Sequence, residues 1–349
     1  MDLGYGGVIL PVVNVYKYLG ICFSTKLSFS LACRDLVSRA KNALLYQYIQ
    51  QKLNILGNNS LELYLKLFDV QIQPILLYGS EIWGFDLVAS QHCEKLHLYA
   101  LKKYLGVENR TPNDLVYGET DRYPIVLNCI LRGIRYWLKL IKMDQSRLPF
   151  KSYRMLFELD SRGKTNWVSQ VRCKLFQFGF GYVWVNQGVQ NEKQFLSVFR
   201  QRLIDCQWQL WDIHVQTSDR FSLFRTFSSS HERKTYLQLN IDRHLRFLLT
   251  RFRLGISDIA VHQYRYKRHD SADLLCPLCK IAEENEMHFV FICPALKHLR
   301  EKFLPAKFCR FPNLFKLTLL LSSTNGKVIH NFGVFLYRSF KLRSIVQPQ

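Results

Sequence analysis

Four side chains between positions 276 and 294, in CPLCKIAEENEMHFVFICP, have the chemistry of metal ligands: Cys276, Cys279, His288 and Cys293. Their spacing is C-x2-C-x8-H-x4-C. Zinc takes thiolates and imidazoles at about 2.0–2.3 Å in a tetrahedron, and a C-x-x-C turn aims two sulfurs at one point. The second pair is harder to converge, because residues five apart on a continuous α-helix point about 140° away from each other. Pro294 offers an exit: it disfavours helical backbone at Cys293 and suits the first position of a new helix. The expectation is therefore His288 on one short helix and Cys293 at the N-cap of the next, PALKHLREKF. A cysteine there also gains from the helix N-terminus. With no evident open position, a structural Zn2+ site is expected rather than a catalytic one. His298 is a weaker rival ligand, and the alternative is a set of core thiols beside a surface histidine. Lys280 faces Glu283, Glu284 and Glu286 within the segment, so the knuckle is itself net negative.

The chain as a whole is strongly basic, with 48 Lys+Arg against 27 Asp+Glu and a net charge of +21. Such a surplus suits a polyanion, RNA or DNA above all. It is clustered. In NCILRGIRYWLKLIKMD, positions 128–144, Arg132, Arg135, Lys139 and Lys142 recur on one helical face, and Leu131, Ile134, Leu138 and Ile141 on the other. That basic face either tracks phosphates or is simply solvated. Residues 243–270 carry a second cluster that includes Arg251, Arg253, Arg265, Lys267 and Arg268. Trp167, Trp184, Trp208, Trp211 and Tyr236 lie among basic residues, where rings can stack on bases, although at helical spacing they read more readily as core. Low-specificity RNA or DNA binding is the expected partnership.

Catalytic constellations are missing from the sequence. It holds no Asp-Asp pair, no glycine-rich phosphate loop ending in Gly-Lys-Ser/Thr and no His-Glu-x-x-His helix. Two-metal phosphoryl transfer needs clustered carboxylates, and here they are dispersed among basic neighbours. The GYGGV stretch near the start is too weak a signal to use.

The elements that must position these groups read as mainly α. VNVYKYLGICF, positions 13–23, alternates and predicts strands turning near Gly20. A helix is expected over 28–55 with Gly57 as its stop, then a restart with Asn59 and Glu62 at capping-box spacing, bending or ending near Pro74. A further helix, about 90–105, should end at Gly106. Cys22, Cys33, Cys93, Cys129, Cys173, Cys206 and Cys309 are scattered and read as small core hydrophobes in a reducing compartment, which predicts a nuclear or cytoplasmic protein that is not secreted. Residues 175–191 carry no charge but are too polar to cross a bilayer.

Several blocks occur in an order that resembles one family: YKYLGICF (16–23), PILLYGSEIWGF (74–85), NWVSQVRCKLFQFGFGYVW (166–184), RFRLGIS (251–257) and the C-C-H-C segment ending CPALKHLRE. Together they resemble the C-terminal part of the reverse-transcriptase polyprotein of LINE-type (non-LTR) retrotransposons. The resemblance implies a layout: 1–25 as the end of the palm sheet, 26–125 as a helical thumb, 126–270 as a basic helical region, 271–305 as the zinc knuckle, and 306–349 as a partly helical tail. It implies Cys276, Cys279, His288 and Cys293 as the metal ligands of a knuckle that helps to bind RNA or DNA. It also implies that the Tyr-x-Asp-Asp polymerase motif and the endonuclease would lie before residue 1. The expectation is thus a catalytically incomplete fragment of an RNA-directed DNA polymerase that binds nucleic acid; a zinc-stabilised protein-interaction module is the alternative.

Overall fold

The computed structural model describes residues 3–5, 8–10, 13–26, 28–45, 60–228, 234–267 and 274–346. It is mainly helical, with short antiparallel hairpins at the N-terminus and a Cys/His cluster near the C-terminus. The strands are β1 (Leu3–Tyr5), β2 (Val8–Leu10), β3 (Val15–Tyr18) and β4 (Ile21–Ser24). The longer helices are α1 (Ser30–Leu45), α2 (Leu61–Leu67), α3 (Leu87–Leu105), α4 (Asn113–Thr120), α5 (Val126–Ile141), α6 (Leu148–Ser161) and α7 (Trp167–Gln177). They continue with α8 (Glu192–Thr217), α9 (Arg243–Arg253), α10 (Ala260–Lys267), α11 (Lys297–Phe303), α12 (Leu314–Leu321) and α13 (Gly326–Val346).

The chain divides into two compact units that interleave in sequence. The first comprises Met1–Ile49, Leu67–His97 and Tyr123–Gln207. Its β3–β4 hairpin turns where the sequence predicts. Tyr18 pairs with Ile21, and Leu19 and Gly20 both take positive φ, 46° and 83°; two such residues make the turn whose twist matches a hairpin. The β1–β2 hairpin, with Leu3 opposite Leu10, is an element the sequence reading did not include. Arg39 donates to the Gly20 carbonyl at 2.8 Å, and the Tyr78 hydroxyl donates to the Leu19 carbonyl at 2.8 Å. The blocks YKYLG and LLYGSEIWG therefore touch.

At Pro74 the helix neither runs on nor stops. Residues Phe68–Ile72 widen into a π turn, and Pro74 falls in the first turn of Gln73–Leu76. The proline ring lacks an N–H and crowds the carbonyl four residues back, so a locally wider helix accommodates it. The core of this unit is built by α5, α6, α7 and the first part of α8. Ile134, Trp137, Leu138, Val168, Val171, Leu175, Val183 and Phe199 are all fully buried there. The indoles of Trp137 and Trp184 stack at 5.7 Å.

The second unit comprises Gln50–Lys66, Leu98–Arg122 and Trp208–Gln349. Tyr64 of α2 lies on Tyr104 of α3 at 4.8 Å and donates to the Ala100 carbonyl. Helix α3 ends where expected, at Gly106 with φ 69°. Asp242 caps α9 by accepting from the amides of His244 and Leu245. Helix α9 then packs along α13, and Phe252 meets Phe289 and Phe332 in an aromatic core. The expected helix over 28–55 is present as α1; its later part, with Gly57 and Asn59, lies outside the described residues. Ser60 stands at the start of α2, its hydroxyl accepting from the Leu63 amide. Among the described residues no helix is long and apolar enough to cross a membrane.

Candidate metal centre and basic surface

Cys276 and Cys279 occupy a tight turn between two short extended pieces. Leu275 bridges Glu283, the Cys276 amide donates to the Ala282 carbonyl at 2.8 Å, and the Lys280 amide returns to the Cys276 carbonyl. Lys280 closes the turn with φ 56°. Backbone amides of Leu278 and Cys279 face the Cys276 sulfur, and those of Ile281 and Ala282 face the Cys279 sulfur. Amide dipoles aimed at sulfur favour thiolates.

His288 and Cys293 converge for a reason only half visible in the sequence. Residues His288–Ile292 form a π turn, and the Cys293 amide donates to the His288 carbonyl five residues back at 2.7 Å. An i→i+5 bond places residues five apart on the same side, where an α-helix would separate them. Cys293 then leaves the helix with ψ 118° and stands before Pro294, which opens a short 3-10 turn leading into α11. Pro294 thus acts as expected, and the π turn supplies the remaining rotation.

The four ligand atoms lie within 4.8 Å of one another, compatible with a zinc site. The Cys276 and Cys293 sulfurs are 3.8 Å apart, and the Cys279 sulfur is 3.4 Å from His288 Nε2. Zinc at ordinary bond lengths would give tetrahedral edges of about 3.8 Å between sulfurs and about 3.5 Å between sulfur and nitrogen. The donor set fits. Burial pushes the thiols of Cys276 and Cys293 up, Cys293 to about 12 with the neighbouring Cys276 adding to it. Burial opposes the Cys279 thiolate too, but the amides facing it bring that thiol down. Burial lowers His288, which keeps the imidazole neutral as a ligand must be. Three thiolates around a divalent ion leave one negative charge. The buried Arg300 answers it, donating to the Cys293 carbonyl at 2.6 Å. His298 is exposed on α11 and takes no part in the cluster.

Two of the knuckle's three carboxylates, Glu284 and Glu286, are not on its surface; Glu283 is exposed. Glu284 is fully buried and gripped by Arg343 of α13, with contacts of 3.0 Å to each oxygen, and it accepts from the Ala260 amide at 2.7 Å. Glu286 accepts from Arg265 at 2.6 Å and from His262 Nε2 at 3.1 Å. Burial opposes its ionisation, but the His262 hydrogen bond and the Arg265 charge hold it well below the usual carboxylate range. Burial keeps His262 below its ordinary value, hence neutral, so its Nε2–H donates while Nδ1 accepts from the Ser257 hydroxyl at 2.8 Å. Ser257, His262 and Glu286 thus line up in hydrogen-bonding order, yet all three are buried and the Ser257 amide shares the same Nδ1. The line clamps α10 to the knuckle. Sequence reasoning missed both clamps, whose partners are 59 and 21–24 positions away.

The basic residues sort into surface and core. Arg135 and Lys139 are exposed on α5 and Lys142 just past its end, and with Arg132 they line one concavity of about 870 Å3. Arg147, not singled out from the sequence, joins them there. Glu81, Asp144 and Glu192 also reach it, so five cations face three carboxylates. Arg132 is partly engaged, donating to the Leu77 carbonyl at 2.8 Å, and Lys142 pairs with Glu192 at 2.7 Å. Opposite them Ile134 and Leu138 are fully buried and Leu131 and Ile141 partly so, as the periodicity predicts.

The second basic cluster is different. Arg253 is a core residue, which corrects its reading as a nucleic-acid contact. Its Nε lies 2.6 Å from the fully buried Glu119, it donates to the Leu321 carbonyl, and its guanidinium covers the rings of Phe227 and Tyr236 at 4.4 and 5.0 Å. Tyr236 completes the group, its hydroxyl donating to Glu119 at 2.8 Å. Arg251 is half-buried and donates to the Gly106 carbonyl. Arg265 serves Glu286. The side chain of Lys267, at the end of α10, and Arg268 lie outside the described residues. Of the aromatic residues, Trp184, Trp211 and Tyr236 are core, Trp167 is half-buried with its indole N–H on the Glu81 carbonyl, and Trp208 is exposed. Cys33, Cys93 and Cys129 are buried as expected, whereas Cys173 is exposed.

No family model, no curated protein and no solved structure matches this chain.

Proposed function

We propose that this chain binds RNA or DNA through the basic face of α5 and carries a structural zinc ion on Cys276, Cys279, His288 and Cys293. The observation that carries the reading is the concavity in which Arg132, Arg135, Lys139, Lys142 and Arg147 converge in a chain of net charge +21. Zinc here is a staple: protein ligands supply all four corners, which is the pattern of structural sites. On the ordered sequence blocks, we further propose kinship with the C-terminal part of LINE-type reverse transcriptases, as a catalytically incomplete piece. The contact between YKYLG and LLYGSEIWG supports treating those blocks as one unit.

The test is binding of a labelled oligonucleotide by the whole chain and by a variant with alanine at Arg135, Lys139, Lys142 and Arg147. These side chains are exposed, so folding should survive. Affinity should fall by at least tenfold; unchanged affinity refutes the reading. Primer extension on an added template should give no product, and robust extension refutes catalytic incompleteness.

A partner protein is the second reading. The negative charge of the knuckle does not support it, because Glu284 and Glu286 face inward and the exposed Glu283 is balanced by the exposed Lys280. What favours it is the exposed apolar row of Phe311, Leu314, Phe315 and Leu319. Aspartate at Phe315 should leave oligonucleotide affinity unchanged and abolish partner capture if this reading holds.

A further inference from the structure

The uncharged run 175–191 is unusual in so basic a chain, and it builds a second concavity in the same unit. Its volume is about 760 Å3, within the roughly 300–1,000 Å3 of small-molecule sites. Phe180 and the buried Phe195 line it, as do Tyr182, 58% exposed, and Val198, 51% exposed. The exposed amides of Asn186, Gln190 and Gln194 surround it. Gln187 is already engaged, accepting from the Tyr153 hydroxyl and donating to the Trp184 carbonyl. Lys142 lines both this concavity and the basic one. The pair therefore joins a track for phosphates to a chamber with ring faces and neutral donors and acceptors.

That combination is what an unpaired nucleotide requires. A base needs a π face to stack on and amide groups to meet its edge, while the backbone needs cations beside it. A duplex keeps its bases stacked and offers nothing to such a chamber. The geometry points to a single-stranded nucleic acid as the ligand, with its phosphates on Arg135, Lys139 and Lys142 and one base lodged against Tyr182. This rests on the nucleic-acid reading above and narrows it. The Lys142–Glu192 ion pair stands where the two concavities meet, so an arriving phosphate competes with Glu192 for Lys142.

The experiment measures fluorescence anisotropy of the full chain with oligo-U RNA, oligo-dT DNA and a blunt DNA duplex of equal length. The wild type should prefer the single strands, and comparison of the first two distinguishes RNA from DNA. Tyr182→Ala should weaken single-strand binding about tenfold while leaving duplex binding and the salt dependence unchanged. Glu192→Gln should tighten binding, by up to about fivefold, because it releases Lys142. The inference is overturned if Tyr182→Ala stays within twofold of wild type on single strands, or weakens the duplex equally. It is overturned in a distinguishable way if alanine at Arg135, Lys139, Lys142 and Arg147 also changes nothing, since the broader reading then falls with it.

Discussion

The buried pair of Glu284 and Arg343 gives the sharpest structural prediction about the knuckle. Glu284 is completely buried, and Arg343 retains 12% exposure. Replacing Arg343 with alanine leaves a buried carboxylate with the Ala260 amide alone as its remaining named donor, and an uncompensated buried charge costs about 3–5 kcal/mol. The reverse change is cheaper. In Glu284→Ala the partly exposed guanidinium of Arg343 can turn to water, leaving a loss of about 1–3 kcal/mol from its hydrogen bonds. Hydrogen exchange reads this locally, at the amides of Cys276, Glu284 and Cys293, which donate to Ala282, Leu274 and His288 respectively. With zinc saturating, Arg343→Ala should accelerate their exchange by at least about 150-fold, the equivalent of 3 kcal/mol, and more than Glu284→Ala does. An effect below tenfold, or the opposite ranking, would refute the idea that an ion pair anchors the knuckle to α13.

Four further outcomes follow from named residues. Glu119→Ala strands the buried Arg253 guanidinium and should cost about 3–5 kcal/mol in urea unfolding, whereas Glu119→Ala combined with Arg253→Met should recover much of it. Gly106→Ala forces a Cβ to 2.1 Å from the Phe247 ring at a φ of 69° and should destabilise by about 2–4 kcal/mol in the same assay. Gly163→Ala, with φ 77° and nothing within 4 Å of its Cβ, should cost only about 1 kcal/mol. Cobalt(II) should give thiolate-to-metal absorption at one ion per chain, and chelation should release the exchange protection of residues 274–303; a titration without that absorption would dismiss the metal centre.

What the sequence made legible depended on how local its cause was. The four metal ligands fall within 18 positions, so spacing and Pro294 exposed them, and the periodicity of α5 separated Lys139 from Leu138 without any tertiary knowledge. Gly20 marked its turn for the same reason, whereas the positive φ of Leu19 beside it was not legible. The π turn at His288–Ile292 was not legible, because helix-based spacing assumes one residue pitch throughout. The role of a charged side chain was least legible. Arg253 looked like Lys139 in sequence, yet its partner Glu119 stands 134 positions earlier, and burial reverses what the charge does. Glu284 and Glu286 made the knuckle look negative until Arg343 and Arg265 were found against them. The concavity beside Tyr182 escaped notice because an uncharged run announces only what it is not.

The central claim, that exposed cations on and just after α5 hold a nucleic-acid backbone, is tested most directly by the slope of log affinity against log salt. Each phosphate neutralised contributes about 0.7 to that slope for a single strand. Wild type should therefore show a clear negative slope, and alanine at Arg135, Lys139, Lys142 and Arg147 should flatten it by about 3. A flat wild-type slope, or one that the four substitutions leave unchanged, would contradict the account.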